Sequence, residues 1–380
     1  MLVNFEYLLP TKIIFGENKY KEINKYIKEL SQNNVLLVTD KFLLNQAYTN
    51  EIIKSNSIKY IYSKVTPNPT NLQVMDLVKY IESNNIDTLL VIGGGSSIDI
   101  AKAASVVANT NTNITDYLDS NANKLEIKKT IPIIALPTTS GTGSEVSKYA
   151  VISDSKTHLK DSITSDLICP KIAIVDPILT IGMPSAVTIS TGLDALSHAL
   201  ESLVSTIENP FTNILAINAI ELIFNNLNKA RLNGNDLEVR SNMSFASTLA
   251  GIAMSHCCGT MGHAMGCQLT SQYNVPHGLA CGVLQKYALD YAGDKKHNLK
   301  MLVDYLDKSN CNIEKAVSIL QKKLDELFNQ LGIEMNLKEY SMTDDGIKIM
   351  TKDSMNHGCM GLNPVKMDNK DINKVFQKLM

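Results

Sequence analysis

The stretch DTLLVIGGGSSIDIAKA, residues 87–103, decides how the chain folds. Its first half is a near-continuous run of branched aliphatics, closed by Gly93, Gly94 and Gly95. Such a run suits a strand buried on both faces of a parallel sheet. Its second half reads as a helix that opens at Ser96 and Ser97. Glycines at that junction let backbone N–H groups approach a pyrophosphate, and the helix N-terminus adds orphan donors and a favourable dipole. The spacing is neither G-x-G-x-x-G nor a Walker loop, because no Gly-Lys-Ser/Thr follows. A tight turn with a serine cap would leave the same pattern. Asp99 and Lys102 read as first-turn residues of the helix, placed to reach a ribose or an amide.

Three further runs resemble that first half: NVLLVTD (34–40), TIPIIALPTTSGTG (130–143) and KIAIVDP (171–177). Between them, NLQVMDLVKYIESNN (71–85) repeats apolar residues at helical spacing. Strand, helix and strand in alternation predict a doubly wound, Rossmann-like α/β domain with a parallel sheet. PTTSGTGSE (137–145) is a second strand-end turn, whose Thr138, Thr139 and Thr142 either bind a nucleotide or cap a helix. Two such turns at successive strands strengthen the ligand reading, since ligands gather at the carboxyl ends of strands. Asp40, closing VLLVTD, could accept from an adenosine ribose and would repel a 2′-phosphate, favouring NAD over NADP; a solvated strand-end aspartate fits its position equally well.

After about residue 180 the character changes. TISTGLDALSHALESLVS, FTNILAINAIELIFNNLNKA and DLEVRSNMSFASTLAGIAMSHCC all read as helices. NIEKAVSILQKKLDELFNQLG carries a stripe of Val317, Leu320, Leu324, Leu327 and Leu331, with Gly332 as its stop. The expectation is a dinucleotide-binding α/β domain over 1–180 and an all-helical metal-binding, catalytic domain over 181–380.

The 380 residues carry a net charge of −2, which gives no electrostatic reason to expect nucleic acid or an anionic membrane. Only Arg231 and Arg240 are arginines, which disfavours a heavily anionic substrate. Seven cysteines without a C-x-x-C pair point to a reduced, intracellular protein. MLVNFEYLLPTKIIFG lacks the basic and apolar regions of a signal peptide, and no apolar run is long enough to span a bilayer. A cytoplasmic location is expected.

TGLDALSHALES (191–202) sets Asp194 and His198 on one helix face, four residues apart. The pair alone is common in helices. His263 and His277 in GTMGHAMGCQLTSQYNVPHG (259–278) bring the set to one carboxylate and three imidazoles, enough for one divalent ion. Oxygen and nitrogen donors without thiolate suit Fe²⁺, Zn²⁺, Mn²⁺ or Co²⁺. Gly262 and Gly266 would allow close backbone approach, and Pro276 and Gly278 would hold His277 at a turn. His158, His256, His297 and His357 lack such settings, and His256 beside Cys257 and Cys258 reads as a core residue.

Taken with LLPTKIIFG, TPNPT, IGGGSSIDIAKA, PTTSGTGSEVS, IAIVDP, TGLDALSHALESLVS and PHGLA, in this order, the chain resembles the iron-containing (group III, metal-dependent) alcohol dehydrogenases nearly end to end. The resemblance implies NAD(P)-linked interconversion of an alcohol and its aldehyde. It implies Asp194, His198, His263 and His277 as ligands of Fe²⁺ or another divalent ion such as Zn²⁺. It implies a pyrophosphate loop of Gly94, Gly95, Ser96 and Ser97, with nucleotide contacts from Asp40, Asn68, Thr138, Thr139, Thr142 and Lys160. A homodimer or larger homo-oligomer is expected.

Two positions depart from the family pattern. Many members carry a second histidine four residues after the third ligand, where this chain has Cys267. Many end in Asn-Pro-Arg, where this chain has NPVKMD with Val365. His277, or a ribose hydroxyl and water, is the expected proton carrier, with Cys267 a poorer one at neutral pH unless its pKa is lowered. The expected substrate is a small, uncharged aliphatic alcohol or aldehyde. Polyol oxidation of the glycerol dehydrogenase kind, or reduction of a functionalised aldehyde of hydroxy-acid or phosphonate type, is the alternative. A nucleotide-binding sensor or scaffold is the non-enzymatic one. A dehydroquinate-synthase-like role would need more basic groups than this chain has.

Overall fold

Alternate residues of the apolar runs point to opposite faces of one parallel sheet, so each run is buried twice over. The computed structural model describes residues 4–31, 33–56, 58–156, 160–334 and 337–380; His158 lies outside them. The chain divides into two units: Leu8–Ile181, and Gly182–Met380 with the N-terminal segment ending at Tyr7.

The first unit holds strands β1 (Lys12–Phe15), β2 (Val35–Val38), β3 (Tyr60–Tyr62), β4 (Thr88–Gly93), β5 (Ile133–Pro137), β6 (Tyr149–Ser153), β7 (Lys160–Thr164) and β8 (Ile172–Val175). Its helices are α1 (Ile23–Leu30), α2 (Lys41–Leu44), α3 (Ala47–Ser55), α4 (Asn71–Ser83) and α5 (Gly95–Val107). Six strands form a sheet in the order β1-β8-β5-β4-β2-β3, every pairing parallel. Leu36, Leu89, Val91 and Ala135 join the core on one face, and Leu37, Leu90, Ile134 and Leu136 the core on the other. The α/β expectation holds. β6 and β7 form a separate antiparallel hairpin.

The second unit contains only helices among the described residues: α6 (Ser185–Val204), α7 (Pro210–Leu232), α8 (Leu237–Cys257), α9 (Met261–Tyr273), α10 (His277–Ala288), α11 (Lys296–Asp307), α12 (Ile313–Leu331), α13 (Asp344–Asn356) and α14 (Asn369–Gln377), with short 3-10 turns. The stripe on α12 buries Leu320, Leu324, Leu327 and Leu331, and Gly332 ends the helix in the left-handed region at φ 70°. Tyr7 stacks on His256 at 4.1 Å between ring centroids, which makes that histidine a packing residue. No helix among the described residues is long and apolar enough to cross a membrane.

Candidate functional site

In the first unit, the carboxyl ends of β2, β4 and β5 are adjacent and bring the expected nucleotide residues together. Gly94 caps α5 with no side chain, leaving the first N–H groups of the helix uncovered by its cap. A Cβ on Gly94 would sit 3.0 Å from Thr139 Oγ1, and one on Gly95 would sit 2.6 Å from Thr142 Cγ2. The glycine loop and the threonine loop therefore pack directly against each other. Thr138 N–H extends the pairing by donating to Gly93 O at 3.1 Å. Ser96 is half-buried and Ser97 buried in the first turn of α5. Asp40 caps α2 through a 2.8 Å bond from Leu43 N–H to Oδ1, which uses one of its two oxygens.

Asn68 is exposed, with φ 53°, in the loop before α4. That loop lies beside the hairpin: Ser153 N–H donates to Pro69 O at 2.9 Å, and Ser153 pairs with Lys160. Asp99 and Lys102 differ from their expected reach. Asp99 accepts from Ser144 Oγ at 2.5 Å and from Val151 N–H at 3.1 Å. The ammonium of Lys102, fully buried in the second turn of α5, donates to Ser147 O and Tyr149 O, both at 2.8 Å. These bonds tie α5 to the hairpin, so Lys102 is structural and cannot reach a ribose. Burial pushes its pKa down and that of Asp99 up.

In the second unit, α6, α9 and α10 converge on one carboxylate oxygen. Asp194 Oδ1 lies 3.9 Å from Nε2 of His198, of His263 and of His277. That separation is too long for a hydrogen bond and suits atoms facing a shared ion, each about 2.0–2.2 Å from it. Asp194 Oδ1 and His263 Nε2 are buried without a hydrogen-bond partner. Orphaned polar atoms of this kind cost about 1–3 kcal/mol each, and a cation between them supplies what both lack. The four residues fit a divalent ion.

Hydrogen bonds behind the rings prepare the right nitrogens. Glu201 Oε1 is 2.9 Å from His263 Nδ1, and a carboxylate only accepts, so Nδ1 carries the proton and Nε2 presents its lone pair. Burial opposes the charge of Glu201, but His263, the Thr260 N–H and the Gln285 amide outweigh it and hold the pKa below the ordinary carboxylate value. Thr270 Oγ1 gives its single proton to Gly266 O at 3.0 Å, so it can only accept from His277 Nδ1 at 3.3 Å. His277 is thereby set in the same tautomer.

His277 is not held at a turn; it is the first residue of α10, after Pro276. A Cβ on Gly278 would lie 1.9 Å from Ser190 O, so only glycine lets α10 start against α6. Gly262 and Gly266 play the expected part: a Cβ there would strike Glu201 Oε1 and Cys281 Sγ respectively.

Two residues near the site were missed by sequence reasoning. Cys281 joins Asp194, His263 and His277 in a group whose ligand atoms lie within 4.8 Å of one another. Burial pushes its thiol up to about 12, which leaves it a weak donor beside three imidazoles. His198, with its Nε2 at 3.9 Å from Asp194 Oδ1, is the better fourth ligand. Glu201 is the other, although it follows Asp194 by seven residues on the same helix face. Cys267, one turn after His263, hydrogen-bonds the imidazole of His357, a residue for which the sequence suggested no role.

Residues 10–177 match the family model described as iron-containing alcohol dehydrogenase, and residues 188–380 match that of the Fe-containing alcohol dehydrogenase C-terminal region. The NAD-dependent methanol dehydrogenase of Bacillus methanolicus is 31% identical over 98% of this chain and 99% of its own length. The 1,3-propanediol dehydrogenase of Klebsiella pneumoniae is 31% identical, covering 98% of each chain. The crystal structure of sulfoacetaldehyde reductase from Bifidobacterium kashiwanohense in complex with NAD+ is similar with a TM-score of 0.91 at 29% identity, covering 99% of both chains.

Proposed function

The chain belongs to the iron-containing alcohol dehydrogenase family, and from that premise we propose that it interconverts small, uncharged aliphatic alcohols and their aldehydes with NAD(H) and a divalent metal, iron by preference. The observation that carries the reading is the set of three Nε2 atoms, each 3.9 Å from Asp194 Oδ1. When bound, the metal supplies Lewis-acid polarisation of the substrate oxygen and the nicotinamide supplies or accepts the hydride.

The chain's own residues do the rest. Asp194, His198, His263 and His277 hold the ion, and Glu201 and Thr270 keep His263 and His277 in the ligating tautomer. Among the four, His277 has 30% of its side chain exposed against 6–10% for the others, so it marks the side open to substrate. Its Nδ1–H, on Thr270, gives it a place in the proton route, with Cys267 as a secondary group. Gly94, Gly95, Ser96 and Ser97 offer N–H groups and hydroxyls to the pyrophosphate. Thr138, Thr139 and Thr142 flank that loop; Asn68 and Lys160 complete the nucleotide contacts. Asp40 keeps one oxygen for the ribose and disfavours a 2′-phosphate.

The preference for an uncharged substrate has structural support. Arg240 is buried, its guanidinium bonded to Gly234 O, Thr188 Oγ1 and Met183 O. Arg231 is bonded to Asn228 and Gln330 O. Neither is available to clamp a carboxylate, sulfonate or phosphonate. Anaerobic purification, elemental analysis and NADH oxidation over an aldehyde panel test the proposal. Short uncharged aldehydes should lead; a strong preference for an anionic aldehyde would overturn the substrate assignment. NADH binding by metal-replete protein with no turnover of any aldehyde would favour a sensor. Seven cysteines without a C-x-x-C pair are the support for a cytoplasmic location. The resemblance supports a homodimer or larger assembly, which sedimentation of the purified protein checks.

A further inference from the structure

Cys258 and Cys359 face each other with their sulfurs 3.8 Å apart, although 101 residues separate them in the chain. Both come from turns. Cys258 caps the C-terminus of α8, and Cys359 sits in the 3-10 turn Gly358–Leu362. Both residues are partly exposed, and of the Cys359 residue it is the thiol that lies buried. A disulfide needs about 2.05 Å between sulfurs, which leaves a closure that side-chain rotation and a small turn movement can supply.

The backbone at Cys258 is held in a conformation natural to glycine, φ 56° and ψ 176°. Its neighbours hold it there: Cys258 N–H donates to Met254 O at 2.7 Å, and Cys257 O accepts from Ser205 Oγ at 2.7 Å. On the other side, Cys359 N–H donates to His357 Nδ1 at 3.3 Å. Of the next two residues after Cys258, Gly259 packs against His263 and Thr260 bonds Glu201, the partner of His263. A Cβ on Gly259 would lie 2.8 Å from His263 Cβ, and Thr260 bonds Glu201 through its N–H and, at 3.0 Å, through its hydroxyl. Any pull on Cys258 is therefore transmitted to His263.

We propose that Cys258 and Cys359 form a redox-active dithiol that closes to an intramolecular disulfide under a disulfide-class oxidant such as oxidised glutathione, and that closure lowers activity by displacing the Gly259–Thr260 support of His263. The thiolate of Cys258 attacks one sulfur of the oxidant and expels the first thiolate, forming a mixed disulfide. Cys359 loses its proton to solvent and attacks the Cys258 sulfur, expelling the second thiolate. Two cysteine thiols lose two electrons and two protons, and one oxidant disulfide becomes two thiols. The hydrogen bond to Cys258, then burial, raises the pKa of Cys359 well above the ordinary thiol value, which favours Cys258 as the first attacker; the opposite order yields the same disulfide. Only the effect on activity rests on the proposed function; bond formation does not.

The test treats reduced, metal-loaded full-length protein with oxidised glutathione, then follows intact mass, free-thiol content, a peptide map and aldehyde reduction. The expected product is lighter by two hydrogen atoms, with a peptide linking Cys258 to Cys359. Activity should fall severalfold and return with dithiothreitol. Cys258→Ser and Cys359→Ser should each abolish the linked species and the oxidant sensitivity; two variants guard against one that misfolds. A map linking Cys257 or Cys267 instead, glutathione adducts without an internal link, or a Cys258–Cys359 link with unchanged activity would overturn the proposal. A protein that forms the link yet reduces no aldehyde would count against the proposed function and leave the dithiol standing.

Discussion

Glu201 Oε1 accepts from His263 Nδ1 at 2.9 Å, and the Glu201 carboxylate is completely buried. The same oxygen accepts from Gln285 Nε2 at 2.5 Å, and Oε2 serves Thr260. The carboxylate thus orients one ring, fixes its tautomer and raises its basicity toward a cation. Glu201→Gln should keep the shape, lose the charge and weaken metal binding by about 10- to 100-fold. Metal retained after dialysis against a graded chelator series measures this; unchanged retention would refute the role.

His263→Ala should remove a ligand and one orphaned nitrogen together. Lewis-acid polarisation is worth several kcal/mol, so turnover should fall by at least about 10³-fold while the protein stays folded. Elemental analysis and aldehyde reduction are read side by side. Full turnover without metal would contradict the assigned centre.

Gly95→Ala places a methyl group where Thr142 Cγ2 already lies, at 2.6 Å. The glycine and threonine loops must part, at about 1–3 kcal/mol of overpacking. NADH affinity should drop by about tenfold or more, equivalent to about 1.4 kcal/mol, with metal content unaffected. Fluorescence titration with NADH decides it.

Asp40→Ser separates two roles of one side chain. Serine still offers an oxygen to the α2 N-terminus, so the cap survives. The charge proposed to repel a 2′-phosphate is gone. The ratio of kcat/KM for NADPH over NADH should rise by about tenfold or more, a change of about 1.4 kcal/mol in relative transition-state stabilisation. An unchanged ratio would show that Asp40 acts only as a cap.

Asp87 supplies a pH-dependent element of stability in the first unit. It accepts from the N–H groups of Asn33 and Asn34 at 2.7 and 2.9 Å, from Ser31 Oγ at 2.8 Å and from Thr88 Oγ1 at 2.9 Å. Burial works against its charge, but these bonds outweigh it and the pKa lies below the ordinary value. The stabilisation is present above the unfolded pKa of about 4 and is lost as pH falls through the lowered folded value. Asp87→Asn should cost about 1 kcal/mol at neutral pH, a modest figure because the group is partly exposed. Denaturant titrations should show the gap narrowing below about pH 4.

The long, strongly patterned elements could be read from local sequence. The strands at 35–38, 88–93, 133–137 and 172–175 and the stripe of α12 are visible because apolar periodicity reports burial directly. β1 and β3 escaped notice because strands of four and three residues are too short for a period. α9 and α10 escaped because most of their residues are buried, polar and small ones among them, which leaves no single apolar stripe. Glu201 lies in TGLDALSHALES, seven residues after Asp194, yet nothing local distinguishes it from an exposed glutamate.

By itself the sequence determined the fold class, the family and the residue types able to hold a cation, because each depends on local pattern and on motifs in order. It placed Asp194 and His198 on one face, since helical spacing requires it. Tertiary structure alone decided that His263 and His277 aim their Nε2 atoms at the same carboxylate oxygen, that Lys102 is spent on carbonyls, and that Cys359 meets Cys258. Those relationships join helices and turns up to a hundred residues apart, and their distances arise from how the elements pack, which no local periodicity encodes.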